Sequence, residues 1–277
     1  MENHFCFIIP RTPKKFRTGF REFLWQQTLQ SLKTQHYNNW QALVVGEREE
    51  IGDDRFVFLE QDLVEKRKKL CSALEFIRQL PVQPDYLIRL DDDDLFSPLV
   101  LEQVKEVQAD CVADRFHGFV ELITGKISQQ KRSWLANTVA HKTSHALQLM
   151  DASDPDSYLL VQDHSKAWHP YYSGRSVYWT KKEQPFYLRV LAPGSITSKA
   201  ASQSGDLAAD YLSYLLGFGS WSTSPNSLKG FEQLLPALRG IKPYLSETGL
   251  QDFRFPALAL LKNRLYELKE KFSSNKL

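Results

Sequence analysis

Short apolar runs and longer amphipathic stretches alternate through the first hundred residues. His4 to Ile9, Gln41 to Val45, Arg55 to Leu59 and Tyr86 to Leu90 are brief runs rich in β-branched and aromatic residues, the pattern of strands buried on both faces. Between them, Phe20 to Lys33 and Val64 to Leu80 carry apolar residues at helical spacing. Pro10 closes the first run, and Pro81 and Pro84 end the second helix. The order strand, helix, strand, repeated, predicts an α/β fold with a mostly parallel central sheet flanked by helices. Leu99 to Gln108, opened by Pro98, is predicted as a further helix.

Past Asp110 the pattern predicts strands at Cys111 to Ala113, Phe116 to Ile123 and Lys126-Ile127, with Gly125 in a turn. Trp134 to Met150 has helical periodicity, placing His141 and His145 on one helix face. No Glu-His signature accompanies them, so a structural or surface role is expected. Tyr158 to Gln162 is predicted as a strand delivering Asp163 and His164 at its end, and Phe186 to Leu191 as another. Beyond Asp206 the chain is predicted to be helical, ending in an amphipathic helix over roughly Pro256 to Phe272.

Composition sets limits on this picture. The 277 residues are 42% hydrophobic and 25% charged, with a net charge of +2, as in an ordinary globular protein with no electrostatic case for nucleic acid. No apolar run is long enough to span a membrane, and the amino terminus lacks the features of a secretory signal. Cys6, Cys71 and Cys111 are widely spaced among apolar neighbours, which suits buried free thiols in a reducing compartment. A cytoplasmic protein is expected. The last helix would allow peripheral contact with the inner face of a membrane.

The chemistry concentrates at Asp91 to Asp94. Four adjacent carboxylates follow a buried strand, and their repulsion calls for a cation or a set of donors. The carboxyl ends of strands are where open α/β sheets bind ligands. A hard divalent ion such as Mn²⁺ or Mg²⁺, completed by substrate phosphates, meets that need; a solvated acidic turn is the alternative. The basic clusters Lys14, Lys15, Arg17 and Lys66 to Lys69 would either face solvent or meet substrate phosphates. The aromatic span Trp168 to Trp179 would either stack on a sugar, with Trp168, Tyr171 and Tyr172 as acceptor-binding residues, or fill the core beneath a loop.

Three segments, FIIP at Phe7 to Pro10, LQSLKTQHYNNWQALVV at Leu29 to Val45 and DYLIRLDDDDLFSP at Asp85 to Pro98, resemble in order and spacing the nucleotide-sugar-binding half of glycosyltransferase family 2, inverting enzymes with the GT-A fold. Val190 to Ser198 is more distantly similar to a pattern in the rhamnosyltransferase branch. The resemblance implies a catalytic domain over 1–200, with residues 1–110 binding a UDP-, GDP- or dTDP-sugar and residues 111–200 facing a glycan or lipid-linked acceptor. A helical region, 201–277, would pack on it.

By position, the resemblance implies that Asp91 and Asp93 form the DxD pair, followed by Asp94. These three would hold the metal, with Asp91 also on the ribose side. Pro10, Arg11, Thr12, Glu47, Arg67 and Asp92 complete the donor-facing set. An inverting transferase needs a base for the acceptor hydroxyl; Asp163 is the first choice and His164 the second, with Asp154 and Asp156 kept open. Two positions depart from the family: Gly46-Glu47-Arg48-Glu49 replaces the usual acidic pair, and Ala192 stands where relatives often place a metal-binding histidine. His164, His169 or water would then complete the shell. A catalytically degenerate scaffold and a metal-dependent nucleotidyltransferase or phosphohydrolase are the competing readings.

Overall fold

The computed structural model describes residues 2–131, 134–135, 137–192, 207–218, 221 and 228–248. Its strands are β1 (Phe5–Pro10), β2 (Trp40–Val45), β3 (Phe56–Leu59), β4 (Tyr86–Arg89), β5 (Leu95–Phe96), β6 (Cys111–Ala113), β7 (Phe116–Glu121), β8 (Lys126–Lys131), β9 (Val139–Lys142), β10 (Val177–Trp179) and β11 (Tyr187–Leu191). The helices are α1 (Gly19–Lys33), α2 (Lys66–Arg78), α3 (Val100–Val104), α4 (Thr143–Ala146), α5 (His169–Tyr172), α6 (Leu207–Leu216) and α7 (Leu234–Ala237), the last continuing as 3₁₀ turns over Leu238–Thr248.

A seven-stranded sheet runs in the order β10-β6-β9-β4-β1-β2-β3. Only β9 is antiparallel to its neighbours, so the α/β class and the mostly parallel sheet are as expected. The continuous apolar character of β1 has a direct cause. Phe5, Phe7 and Ile9 enter one core with Trp25, Leu29 and Leu32 of α1, while Cys6 and Ile8 enter another with Leu70, Leu74 and Ile77 of α2. Both faces are covered, and each such buried side chain contributes about 1.5–3 kcal/mol. Thr18 caps α1, its hydroxyl accepting from Arg21 N at 3.3 Å, and Glu22 lies in the positive first turn. All three cysteines are free and buried.

A second, four-stranded sheet has the order β5-β11-β7-β8. Leu95, Leu188 and Val190 from it share a core with Phe20 and Leu24 of α1 and with Phe231, Leu234, Leu238 and Ile241. Phe119 and Leu191 pack with Tyr211, Leu215, Phe218 and Trp221. The described C-terminal residues are therefore largely helical, over 207–216 and 234–248, and pack on this sheet. The helix expected over 256–272, and residues 193–198 of the distant family match, lie outside the described residues.

Two expectations are corrected. Trp134 to Met150 is not one helix: β9 inserts antiparallel between β4 and β6, and only Thr143–Ala146 is helical after it. Pairing on both edges outweighs a modest helical period. His141 thus lies on a strand, buried, with Nδ1 2.7 Å from Tyr172 Oη, whereas His145 contacts Asp110 and Tyr171. Tyr158 to Gln162 is not a strand either. It makes one bridge to Leu149 and then a 3₁₀ turn over Leu159–Val161, so Asp163 and His164 follow a turn.

Candidate active site

Where β4 ends, the chain turns within Asp91 to Asp94 and leaves as β5, which belongs to the other sheet. The tetrad is the link between the two sheets. Carboxylate oxygens of Asp91, Asp93 and Asp94 all lie within 4.8 Å of one another. Asp92 points elsewhere: its oxygens accept from Thr12 N (2.7 Å), Thr12 Oγ1 (3.1 Å) and Arg11 Nη1 (3.0 Å).

Cations from four elements face the trio. Lys66, at the start of α2, donates to Asp91 Oδ1, and Arg89 Nε lies 3.9 Å from the same oxygen. Arg21 of α1 lies 3.7 Å from Asp93 Oδ2. Arg189 of β11 acts electrostatically on Asp94 and Asp91. Asp94 is buried and also accepts from Val190 N (2.9 Å) and Asn137 Nδ2 (3.2 Å).

These charges do not cancel evenly. Burial opposes ionisation of Asp91, but Lys66 and Arg89 outweigh it and hold the carboxyl below its ordinary range. Burial and then repulsion from Asp92 and Asp91 push Asp93 up to about 6. Burial and then Asp93 raise Asp94 well above the ordinary range. The field around Asp93 and Asp94 therefore favours uptake of a positive charge, a proton or a metal ion. The donor set is three close oxygens without nitrogen or sulfur, which fits a hard divalent ion such as Mg²⁺ or Mn²⁺.

The remaining expected residues divide. Arg11 and Asp92 do not face a ligand. The Arg11 side chain is fully buried over Trp25, its three nitrogens spent on Glu49, Asp92 and Glu22. Pro10 is the buried last residue of β1, and Thr12 is partly exposed beside Asp92. Glu47 is about half exposed and holds the Lys14–Phe16 turn through Lys14 N and Arg17. Arg67 turns away to Asp154 and Asp156 O, so Lys66 occupies the place expected of Arg67. Asp163 is exposed and caps the following turn, accepting from Ser165 and Lys166 N–H groups. The Ser165 hydroxyl bond foremost lowers its pKa, which makes it a weak base.

His164 is placed differently. It is half-buried and feels the charges of Arg89 and Arg189, the cations that also act on Asp91. Burial, the largest effect, lowers its pKa and keeps the ring neutral. Of the aromatic residues, Trp168 and Tyr172 are core, with the Trp168 indole N–H donating to Leu159 O at 2.7 Å, so neither offers an open face as a sugar platform. Tyr171 is partly exposed under Arg175.

Sequence patterns missed Arg21, Arg89, Arg189 and Asn137. Arg89 carried one signal, a charge inside an otherwise apolar strand.

No family model and no curated relative matches this sequence. Among solved structures, the chain is similar to the apo form of the glycosyltransferase GlyE of Streptococcus pneumoniae TIGR4, with a TM-score of 0.41 and 8% identity over 92% of this chain and 65% of that one. It is also similar to a Desulfovibrio desulfuricans G20 protein assigned as a nucleotide-diphospho-sugar transferase (0.39, 8%, covering 88% and 97%). A third similarity is to Rv0371c of Mycobacterium tuberculosis H37Rv in complex with manganese (0.31, 12%, covering 69% and 90%). With TM-scores below 0.5, none of these likenesses assigns a function to this chain. Among the described residues, no helix is long and apolar enough to cross a membrane.

Proposed function

We propose that this chain is a metal-dependent inverting glycosyltransferase, moving a hexosyl or deoxyhexosyl group from a nucleotide-diphosphate donor to a hydroxyl of a glycan or lipid-linked acceptor. The observation that carries it is the trio Asp91, Asp93 and Asp94 at the carboxyl end of β4, ringed by Lys66, Arg21, Arg89 and Arg189. Carboxylates for a cation beside cations for phosphates are what a departing diphosphate requires. Asp91, Asp93 and Asp94 would hold Mn²⁺ or Mg²⁺, which when bound supplies Lewis-acid stabilisation of the leaving group.

The protein's own groups do the rest. His164, neutral and near the cations, takes the acceptor hydroxyl proton; the hydroxyl oxygen attacks the anomeric carbon, and the bond to the phosphate oxygen breaks with its electron pair going to the diphosphate. Lys66, Arg89 and Arg189 take up that charge. Glu47 and Thr12 remain on the donor side.

Calorimetric titration with UDP, GDP and dTDP, without metal and with Mn²⁺ or Mg²⁺, tests this. One diphosphate is expected to bind only with metal, and Asp93→Ala to weaken it about 100-fold or more, an amount near 2.7 kcal/mol. If the wild type binds none of the three with either metal, the proposal fails. With nucleotide sugars in place of the diphosphates, release of nucleoside monophosphate and sugar 1-phosphate, with no transfer to any acceptor, would favour a phosphohydrolase.

A further inference from the structure

A cavity lies on the same edge of the large sheet as the acidic trio. Ala113 pairs with Val139 on one side and with Trp179 on the other, and Ile88 pairs with Ala140. The carboxyl ends of β4, β6 and β10 therefore share one edge. At about 4.8 Å per strand, three spacings put Trp179 about 14 Å along that edge from the end of β4, within reach of a short oligosaccharide. The cavity has a volume of about 340 Å³ and is lined by Arg115, Lys131, Trp134, His169, Tyr172 and Trp179, among others. That volume lies at the lower end of the small-ligand range.

Its walls combine rings and positive charge. Trp134 stacks on Tyr172 at 5.5 Å and meets Trp179 edge-on at 5.2 Å. The Arg115 guanidinium lies 4.3 Å from the Trp179 ring centroid. No carboxylate lines the cavity among the described residues, and neither Arg115 nor Lys131 has a carboxylate partner among them. Trp134 has φ 58°, a left-handed conformation that a bulky residue adopts only where its surroundings demand it. Three residues on, Asn137 donates to Asp94, so one short segment touches both the cavity and the acidic trio.

We infer that this cavity is a binding subsite for a sugar ring that carries an anionic group, the ring lying against the partly exposed Trp179, which Trp134 backs, and the anion meeting Arg115 and Lys131. Aromatic rings supply the apolar face that a pyranose C–H surface needs, and a guanidinium supplies paired donors for a carboxylate or phosphate. Resting on the glycosyl-transfer proposal, it makes the acceptor an acidic glycan whose charged unit sits a short distance from the reacting hydroxyl.

The test is titration of the full chain, followed by indole fluorescence and calorimetry, with glucuronic acid, glucose 6-phosphate, glucose and inorganic phosphate. At least one charged sugar is expected to bind about tenfold or more tightly than both glucose and phosphate, as a charge-assisted contact implies. Arg115→Met is expected to remove that advantage, and Lys131→Met part of it, while binding with Mn²⁺ of whichever of UDP, GDP and dTDP the wild type takes is unchanged in both. Binding in which neither charged sugar exceeds both glucose and inorganic phosphate, or an Arg115→Met protein that still prefers the charged sugar, would overturn the inference. Charged sugars that bind to a protein unable to bind any nucleotide diphosphate would leave the subsite standing and remove the transferase proposal; the converse result removes the subsite alone.

Discussion

Two charged regions lie side by side in this protein and behave in opposite ways. Around Arg11, one guanidinium meets Glu22, Glu49 and Asp92 at 2.7–3.0 Å, Arg17 adds bonds to Glu47 and Glu49, and Trp25 donates its indole N–H to Glu49 at 2.8 Å. Around Asp91, Asp93 and Asp94, the cations stand at one side or at longer range, and Asp93 and Asp94 keep raised pKa values. The first region closes on itself and fastens the loop after β1. The second is left wanting a positive charge. Density of charge in the sequence does not mark a site; charge that the fold leaves unanswered does.

The comparison breaks most easily at Arg11. Arg11→Met would leave the buried Asp92 without its cation, Glu49 keeping Arg17, and is expected to cost about 3–5 kcal/mol of stability, read from the urea midpoint. Asp93→Ala, by contrast, relieves repulsion and should leave that midpoint unchanged or higher. If both substitutions destabilise equally, the distinction between the two regions is lost.

Asp114 supplies an intermediate case. It is buried and, among the described residues, answered by N–H and O–H donors from Arg115, Phe116, Thr180 and Phe186, and burial foremost pushes its pKa up to about 7. Its ordinary value is 3.8, so between about pH 4 and 7 the folded chain keeps a proton that the unfolded chain releases. The contribution to stability is therefore full below about pH 4 and lost as pH rises towards 7, on the order of 4 kcal/mol. Asp114→Asn should flatten that part of the profile of stability against pH; an unchanged slope would place the titration elsewhere.

The smallest effect belongs to Lys66. Its pair with Asp91 is partly exposed, with side chains 43% and 26% accessible, so its worth is at most about 1 kcal/mol. Lys66→Met is expected to tighten Mn²⁺ binding in the absence of nucleotide by up to about fivefold and to weaken diphosphate binding. Loss of metal affinity in that variant would show that Lys66 supports the site and does not compete for it.

Legibility in the sequence followed the range of the interactions involved. β1, α1, β2, β3, α2 and β4 were readable because local apolar period and proline punctuation decide them. β9 was not, because its partners on β4 and β6 lie far away in the chain and its pairing overrode a helical pattern. The tetrad was visible as a run of acids. Its division was not: Asp92 was expected to face the donor, and only the Thr12 and Arg11 contacts say what Asp92 is for.

By itself, the sequence determined the α/β class, the succession of buried strands and the place of the acidic cluster at a strand end. Those follow from covalent order and from the burial of apolar side chains. Tertiary structure alone decided which cations the acids meet, that Lys66 and not Arg67 reaches Asp91, that Asp163 is a cap while His164 lies near Arg89 and Arg189, and that Trp134, Trp179 and Arg115 share a cavity. Each of these depends on groups brought together from distant parts of the chain, and the charge left over at a site is set only when every partner is in place.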